Sequence, residues 1–183
     1  MDKNINVGPG WTLFLDRDGV INNKIDNDYV RNWDSFYFLS DIPKIFQNLK
    51  TIFSRVIIIS NQQGIGKNLM TVSDLINLHT IMINAIQAAG GEIDSIYCCP
   101  HLKDNNCNCR KPNPGMLQRS IHQFPDIQLS KSIFVGDSIS DIKLGLSLGL
   151  LTVYLGDSPH LQDIANYNFP DLKMFMRNLI INK

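Results

Sequence analysis

Val56-Ile57-Ile58-Ile59 is an unbroken run of apolar, β-branched residues, and other short apolar stretches of the chain likewise end abruptly in polar residues. A strand that is apolar at every position must be covered on both faces, a condition that parallel sheets meet. Thr12-Leu13-Phe14-Leu15, Arg55 to Ser60, Ile93 to Cys98, Ser132 to Gly136 and Leu151 to Leu155 read as such strands. Helical patterns fall among them. Asp41 opens one through Ile42, Ile45, Phe46 and Leu49, with Pro43 tolerated in its first turn. Ser73 caps a second, carrying Leu75, Leu78, Ile81, Met82, Ala85 and Ile86 and ended by Gly90-Gly91. Pro114 and Ser140 begin two more, and Pro170 opens a terminal helix through Leu172, Phe175, Met176 and Leu179. The alternation predicts an α/β fold of Rossmann-like type, a parallel sheet with helices on both faces.

In such sheets ligands bind beyond the carboxyl ends of the strands. Polar residues cluster at those predicted ends: Asp16 after the first strand, Ser60-Asn61 after the second and Asp137 after the fourth. Asp16-Arg17-Asp18-Gly19 carries carboxylates at i and i+2, which share a side of an extended chain, and Gly19 lets the chain turn away. Phosphoryl transfer needs such a pair: Asp16 as nucleophile, Asp18 to protonate the leaving oxygen and later activate water. Paired carboxylates repel a phosphate dianion unless a divalent cation screens them, and an all-oxygen site suits Mg2+. Asp16, Asp18 and Asp137 are its expected ligands, with Asp141 behind them. A calcium loop is the competing reading of Asp-x-Asp-Gly, but Asn27 stands where an EF-hand needs its closing glutamate.

All four cysteines, Cys98, Cys99, Cys107 and Cys109, lie within one segment beside His101. Cys99, His101, Cys107 and Cys109 supply three thiolates and an imidazole, a closed set suited to structural Zn2+. Buried thiols or an oxidised pair are the alternatives, and the polar stretch Leu102 to Asn106 argues against a core. The zinc loop, 99–109, would stiffen the segment that delivers Arg110 and Lys111. Cys98, adjacent to Cys99, is expected to point the other way. Arg110 has the forked donor geometry to grip a second phosphate or a sugar hydroxyl, or else to cap the zinc loop. His79, His122 and His160 are isolated, expected on surfaces or helix sides, and given no catalytic role.

Phe14-Leu15-Asp16-Arg17-Asp18-Gly19-Val20 resembles the nucleophile motif of the haloacid-dehalogenase (HAD) superfamily, with Val20 where threonine is more common. Ile59-Ser60-Asn61-Gln62 is similar to the second motif, whose hydroxyl holds the transferring phosphoryl group. Lys111 matches the charge-neutralising lysine, and Val135-Gly136-Asp137-Ser138-Ile139-Ser140-Asp141 the acidic fourth motif. The cysteine loop resembles the zinc-containing branch, which holds heptose 1,7-bisphosphate and histidinol-phosphate phosphatases. Tyr29-Val30, Asn61-Gln62-Gln63-Gly64-Ile65 and Asn113-Pro114-Gly115-Met116-Leu117 look like the heptose enzymes; the short spacer from His101 to Cys107 looks like the histidinol type. The resemblance implies catalysis by Asp16, Asp18, Ser60 and Lys111, and substrate contacts from Tyr29, Asn61, Gln62, Gln63 and Arg110. Two departures stand out. Ser138 occupies a position where the heptose enzymes commonly carry lysine, and the segment from Gly19 to Tyr29 is slightly longer than theirs.

The intervals from Gly19 to Asp41 and from Ser60 to Lys111 are too short for a separate cap domain. An open site follows, with specificity from the loops Asp26 to Tyr29, Ser60 to Gly66 and the zinc loop. Trp33, Phe36, Tyr37 and Phe38 could line it, though aromatic residues near a strand more often belong to the core.

With 183 residues, 44% apolar and 19% charged, the chain suits one domain, 1–183. Seventeen basic and seventeen acidic residues leave no net charge for gripping nucleic acid or an anionic membrane. The apolar runs are too short to span a bilayer, and Met1-Asp2-Lys3-Asn4 lacks a secretion signal's apolar stretch. A cytoplasmic monomer acting on a small phosphorylated metabolite is the expectation. A polynucleotide-end phosphatase is a more distant one, and a catalytically silent, zinc-stabilised binding module differs in class.

Overall fold

In the computed structural model residues 4–39 and 41–182 are described; Met1 to Lys3 of the N-terminal stretch lie outside them. The strands are β1 (Ile5–Val7), β2 (Thr12–Leu15), β3 (Arg55–Asn61), β4 (Ser95–Cys99), β5 (Ser132–Gly136), β6 (Leu151–Leu155), β7 (Tyr167–Phe169) and β8 (Leu179–Ile181). The helices are α1 (Ile42–Ile52), α2 (Gln63–Gly66), α3 (Val72–Ala88), α4 (Gly115–Gln123), α5 (Ile139–Ser147), α6 (Pro159–Ile164) and α7 (Leu172–Arg177).

Six strands form one sheet in the order β4-β3-β2-β5-β6-β7, every pair parallel. Alternate side chains leave a strand on opposite faces, so a strand buried on both sides feeds two cores. Leu13, Leu15, Val56, Ile58, Ile133 and Val135 join residues of α1, α3 and α7 in one cluster. Phe14, Ile57, Ile59 and Phe134 join residues of α4 and α5 in the other. The chain builds outward from β2 through β3 to β4, then returns to the other side of β2 for β5. That reversal opens a crevice at the carboxyl end of β2. Leu15 pairs with Ile58 on one side and Val135 on the other, so Asp16 emerges at its centre.

The predicted strands and helices are present, with adjusted ends. Thr71, not Ser73, caps α3: its hydroxyl accepts from Asp74 N at 3.1 Å while Asp74 accepts from Thr71 N at 2.8 Å. The reciprocal pair satisfies two backbone donors at the start of the helix. The terminal helix stops at Arg177, and Leu179 instead enters β8, paired in parallel with β1. These three-residue strands carry too little periodicity to be recognised from sequence.

Between Gly19 and Ile42 the described residues form a 3-10 turn at Trp33–Ser35 and two isolated bridges, with no element large enough for a cap. Trp33, Phe36 and Phe38 stack on one another and against the core and are not part of the cleft lining; Tyr37 is exposed. The core alternative weighed for these aromatics is the one observed for the first three.

Candidate active site

A cleft of about 430 Å³ lies over the carboxyl end of β2 and is lined by Asp16, Asp18, Tyr29, Asn61, Arg110, Lys111 and Asp137, among others. Gly19 turns the chain sharply there at φ +88°, and a Cβ on it would lie 2.2 Å from Asp137 Oδ2. Only glycine permits the two loops to approach so closely.

Asp16 is buried on the cleft floor. Lys111 Nζ lies 2.8 Å from Asp16 Oδ1 and 2.7 Å from Asp141 Oδ1, and donates to Ile59 O at 2.7 Å. Asn61 positions that lysine by a two-point clamp on its backbone, accepting from Lys111 N at 3.0 Å and donating to Lys111 O at 3.2 Å. Burial pushes the Asp16 carboxyl up to about 7, helped by Asp141 and Asp137 and opposed by Lys111. Lys111 is held protonated by Asp141 and Asp16 against the effect of its burial.

Asp16, Asp137 and Asp141 bring carboxylate oxygens within 4.8 Å of one another, a grouping that could hold a cation. Of the expected ligands, the side chains of Asp16 and Asp137 belong to this group and that of Asp18 does not. The Asp18 carboxylate points elsewhere, accepting from Arg17 Nη2 at 2.7 Å and 3.0 Å, Asn22 Nδ2 at 2.9 Å and Gln62 Nε2 at 2.8 Å. Burial opposes its ionisation, but Arg17 and these donors hold its carboxyl below the usual range. Asp141 is committed twice: one oxygen meets Lys111, and the other caps α5 by accepting from Ser138 N and Ser138 Oγ. Asp137 Oδ2 accepts from Lys24 Nζ at 2.6 Å, whereas Asp137 Oδ1 is buried with no partner among the described residues. Burial raises the Asp137 carboxyl despite Lys24. An unsatisfied buried carboxylate oxygen beside Asp16 is what an incoming divalent cation would satisfy.

Two of the expected substrate contacts, Gln62 and Gln63, do not line the cleft. Gln62, expected to touch substrate, is buried, and its amide donates to Asp18 Oδ2 and Ser60 Oγ, both at 2.8 Å. It therefore supports two catalytic candidates from below the cleft. Gln63 is absent from the cleft lining. His79 lies on a side of helix α3, as expected, but on its buried side, and its Nε2 lies 3.0 Å from Arg17 Nη1. Burial and the Arg17 charge push its pKa down to about 3, so the ring is neutral and accepts that hydrogen bond. His122 and His160 are exposed. Lys24 and the supporting roles of Gln62, Asn22 and His79 carried no sequence signal, because single polar residues outside a repeating pattern do not announce their partners.

Beside the cleft, Cys99, His101, Cys107 and Cys109 converge. Their sulfurs lie 3.1–3.5 Å apart, His101 Nδ1 is 3.1 Å from Cys109 Sγ, and all four cysteines are free thiols. Sulfurs ~2.3 Å from one tetrahedral ion would stand at a comparable mutual spacing. Cys98 turns away, and burial pushes its thiol up to about 12. Arg110 lines the cleft, with Nη1 3.4 Å from His101 O.

Residues 13–163 match the family described as polynucleotide kinase 3 phosphatase. A D-glycero-alpha-D-manno-heptose-1,7-bisphosphate 7-phosphatase of Mycobacterium tuberculosis is 39% identical over 138 residues, 75% of this chain and 73% of its own. The chain belongs to this family of HAD-type phosphatases. A beta-anomer 7-phosphatase of Neisseria meningitidis is 40% identical over 131 residues, 72% of this chain and 69% of its own. The crystal structure of a D,D-heptose 1,7-bisphosphate phosphatase from B. bronchiseptica, with magnesium and phosphate, superposes with a TM-score of 0.80 at 26% identity, covering 91% of this chain and 98% of that one. These phosphatases bear the heptose name, and the histidinol-phosphate alternative finds no support among them. Among the described residues no helix is long and apolar enough to cross a membrane.

Proposed function

We propose that this phosphatase removes the 7-phosphate of a D-glycero-D-manno-heptose 1,7-bisphosphate through a phospho-aspartate on Asp16. One observation carries the mechanism: a buried Asp16 carboxylate at the cleft floor, paired with Lys111 and facing Asp137. Asp16 attacks phosphorus, the phosphorus–oxygen bond to the sugar breaks, and the leaving alkoxide takes a proton from Asp18. Water then attacks the phosphorus of the acyl phosphate and gives its proton to Asp18; the phosphorus–oxygen bond to Asp16 breaks, releasing inorganic phosphate and restoring Asp16. Lys111 and the Ser60 hydroxyl are assigned to the phosphoryl oxygens, and Asn61 keeps Lys111 in place. Asp16 and Asp137 would hold Mg2+, which neutralises charge on the transferring group. The Asp18 side chain, engaged by Arg17, is kept for proton transfer. Cys99, His101, Cys107 and Cys109 would hold Zn2+ structurally, bracing the loop that presents Arg110 and Lys111.

Arg110 and Tyr29, on the cleft wall, would meet the sugar and its second phosphate. The heptose phosphatases matched above support this substrate, although the family description favours a second reading, a 3′-phosphorylated polynucleotide end. The chain's zero net charge offers little for a polyanion. Phosphate release with Mg2+ from the heptose bisphosphate, histidinol phosphate and a 3′-phosphorylated oligonucleotide separates these readings. Preference for either of the last two overturns the substrate assignment. Asp16→Asn should lower kcat by at least ~10³-fold on any substrate, and substantial residual turnover would sink the phospho-aspartate.

A further inference from the structure

Three carboxylates converge under the cleft, and two ammonium groups answer them unequally. Lys111 serves Asp16 and Asp141, and its side chain is 1% exposed with Nζ also tied to Ile59 O. Lys24 serves Asp137 alone. It comes from the loop after Gly19, its side chain is 53% exposed, and among the described residues its ammonium bonds only Asp137 Oδ2. Asp137 is far less exposed, at 14%, and its other oxygen is the unsatisfied one. The carboxylate is thus half engaged by a cation on a flexible stem, in the cleft that admits the phosphate.

We propose that Lys24 is an exchangeable counter-ion of Asp137: a divalent cation displaces it, and its freed ammonium then binds the phosphate group entering the cleft. This rests on the reading of Asp137 as a metal ligand. With the two ammonium groups alone, the three carboxylates outnumber the cations paired with them, which disfavours a phosphate dianion beside the cluster. Once the divalent ion is added and Lys24 is kept nearby, the balance turns positive. A lysine suits the exchange because its compact charge rides on four rotatable carbons, and its exposed ammonium is readily rehydrated when it leaves the carboxylate. Lys111, enclosed on every side, has no such freedom.

Calorimetric titration of Mg2+ into the metal-free full chain, without substrate, tests the exchange. Lys24→Met removes the competitor and should tighten Mg2+ binding by about threefold to tenfold. Lys24→Arg should stay near the wild type. Lys67→Met removes another cation of the same cleft that does not touch Asp137, and should change the affinity by less than about twofold. Unchanged or weaker Mg2+ binding by Lys24→Met, or an equal gain in Lys67→Met, overturns the exchange. Inorganic phosphate titrated into the Mg2+-loaded protein should bind Lys24→Met about tenfold more weakly; unchanged affinity overturns the second half. Asp137→Asn separates the inference from its foundation. If that variant binds Mg2+ like the wild type, both fall; if it loses Mg2+ while Lys24→Met is unchanged, only the exchange falls.

Discussion

Arg17 grips the carboxylate of its neighbour Asp18, with Nη2 2.7 Å and 3.0 Å from the two oxygens and Nε 3.2 Å from Oδ1. The guanidinium is fully buried, and its remaining visible bond goes to His79 on α3. An arginine between Asp16 and Asp18 thus ties the carboxylate proposed for proton transfer to helix α3.

His79→Leu should lower stability by about 1–3 kcal/mol by leaving Arg17 Nη1 buried and unpaired, and His79→Gln should recover most of it. The pH dependence has a definite sign. The folded pKa of His79, about 3, lies below its unfolded value of 6.5. Below that unfolded value the unfolded chain binds a proton that the folded chain refuses, so this contribution to stability is lost as pH falls toward 3. Urea unfolding of wild type and His79→Gln across pH 7 to 5 should show the variant losing less stability. Parallel curves would contradict a neutral His79.

Gln62→Leu strips one donor from Asp18 and from Ser60 together. Donors to the ionised form hold a carboxyl low, so the Asp18 pKa should rise and its acid form should persist to higher pH. The alkaline limb of the kcat profile should therefore move upward, with kcat itself down by about tenfold. A loss of activity with an unmoved profile would assign Gln62 to substrate binding after all.

Asp16, raised to about 7 without metal, must lose its proton to accept a cation. Mg2+ affinity should be nearly flat above that pH and fall by up to about tenfold per pH unit below it. Calorimetry at pH 6, 7 and 8 reads this directly. Pre-loading with Mg2+ should lower the Asp16 pKa, so the acid limb of turnover should shift down as Mg2+ concentration rises.

Cys107→Ser should abolish the binding of about one Zn2+ per chain and lower Tm by about 10 °C or more. Because Lys111 follows the last cysteine by two positions, turnover should fall as well. Elemental analysis with a thermal scan checks the loss of metal and of stability. Wild-type protein that holds no zinc, or whose cysteines are paired, would refute the assignment.

From the sequence alone one could read that β2, β3, β4, β5 and β6 were strands buried on both faces, because an apolar run tolerates no water on either side. It also showed Asp16, Ser60 and Asp137 at strand ends and one cluster of thiol and imidazole side chains, since those signals are local in the chain. Tertiary structure alone decided which oxygens turn toward which cations. Asp18 and Asp141 look alike in sequence, each standing a few residues beyond a strand. Arg17 and Gln62 draw the first away from the carboxylate cluster, and Lys111 and the first turn of α5 draw the second in. Lys24 reached Asp137 across 113 positions, and His79 reached Arg17 across 62. Contacts between isolated polar residues at such separations leave no periodicity, because they exist only once the sheet has brought their loops together.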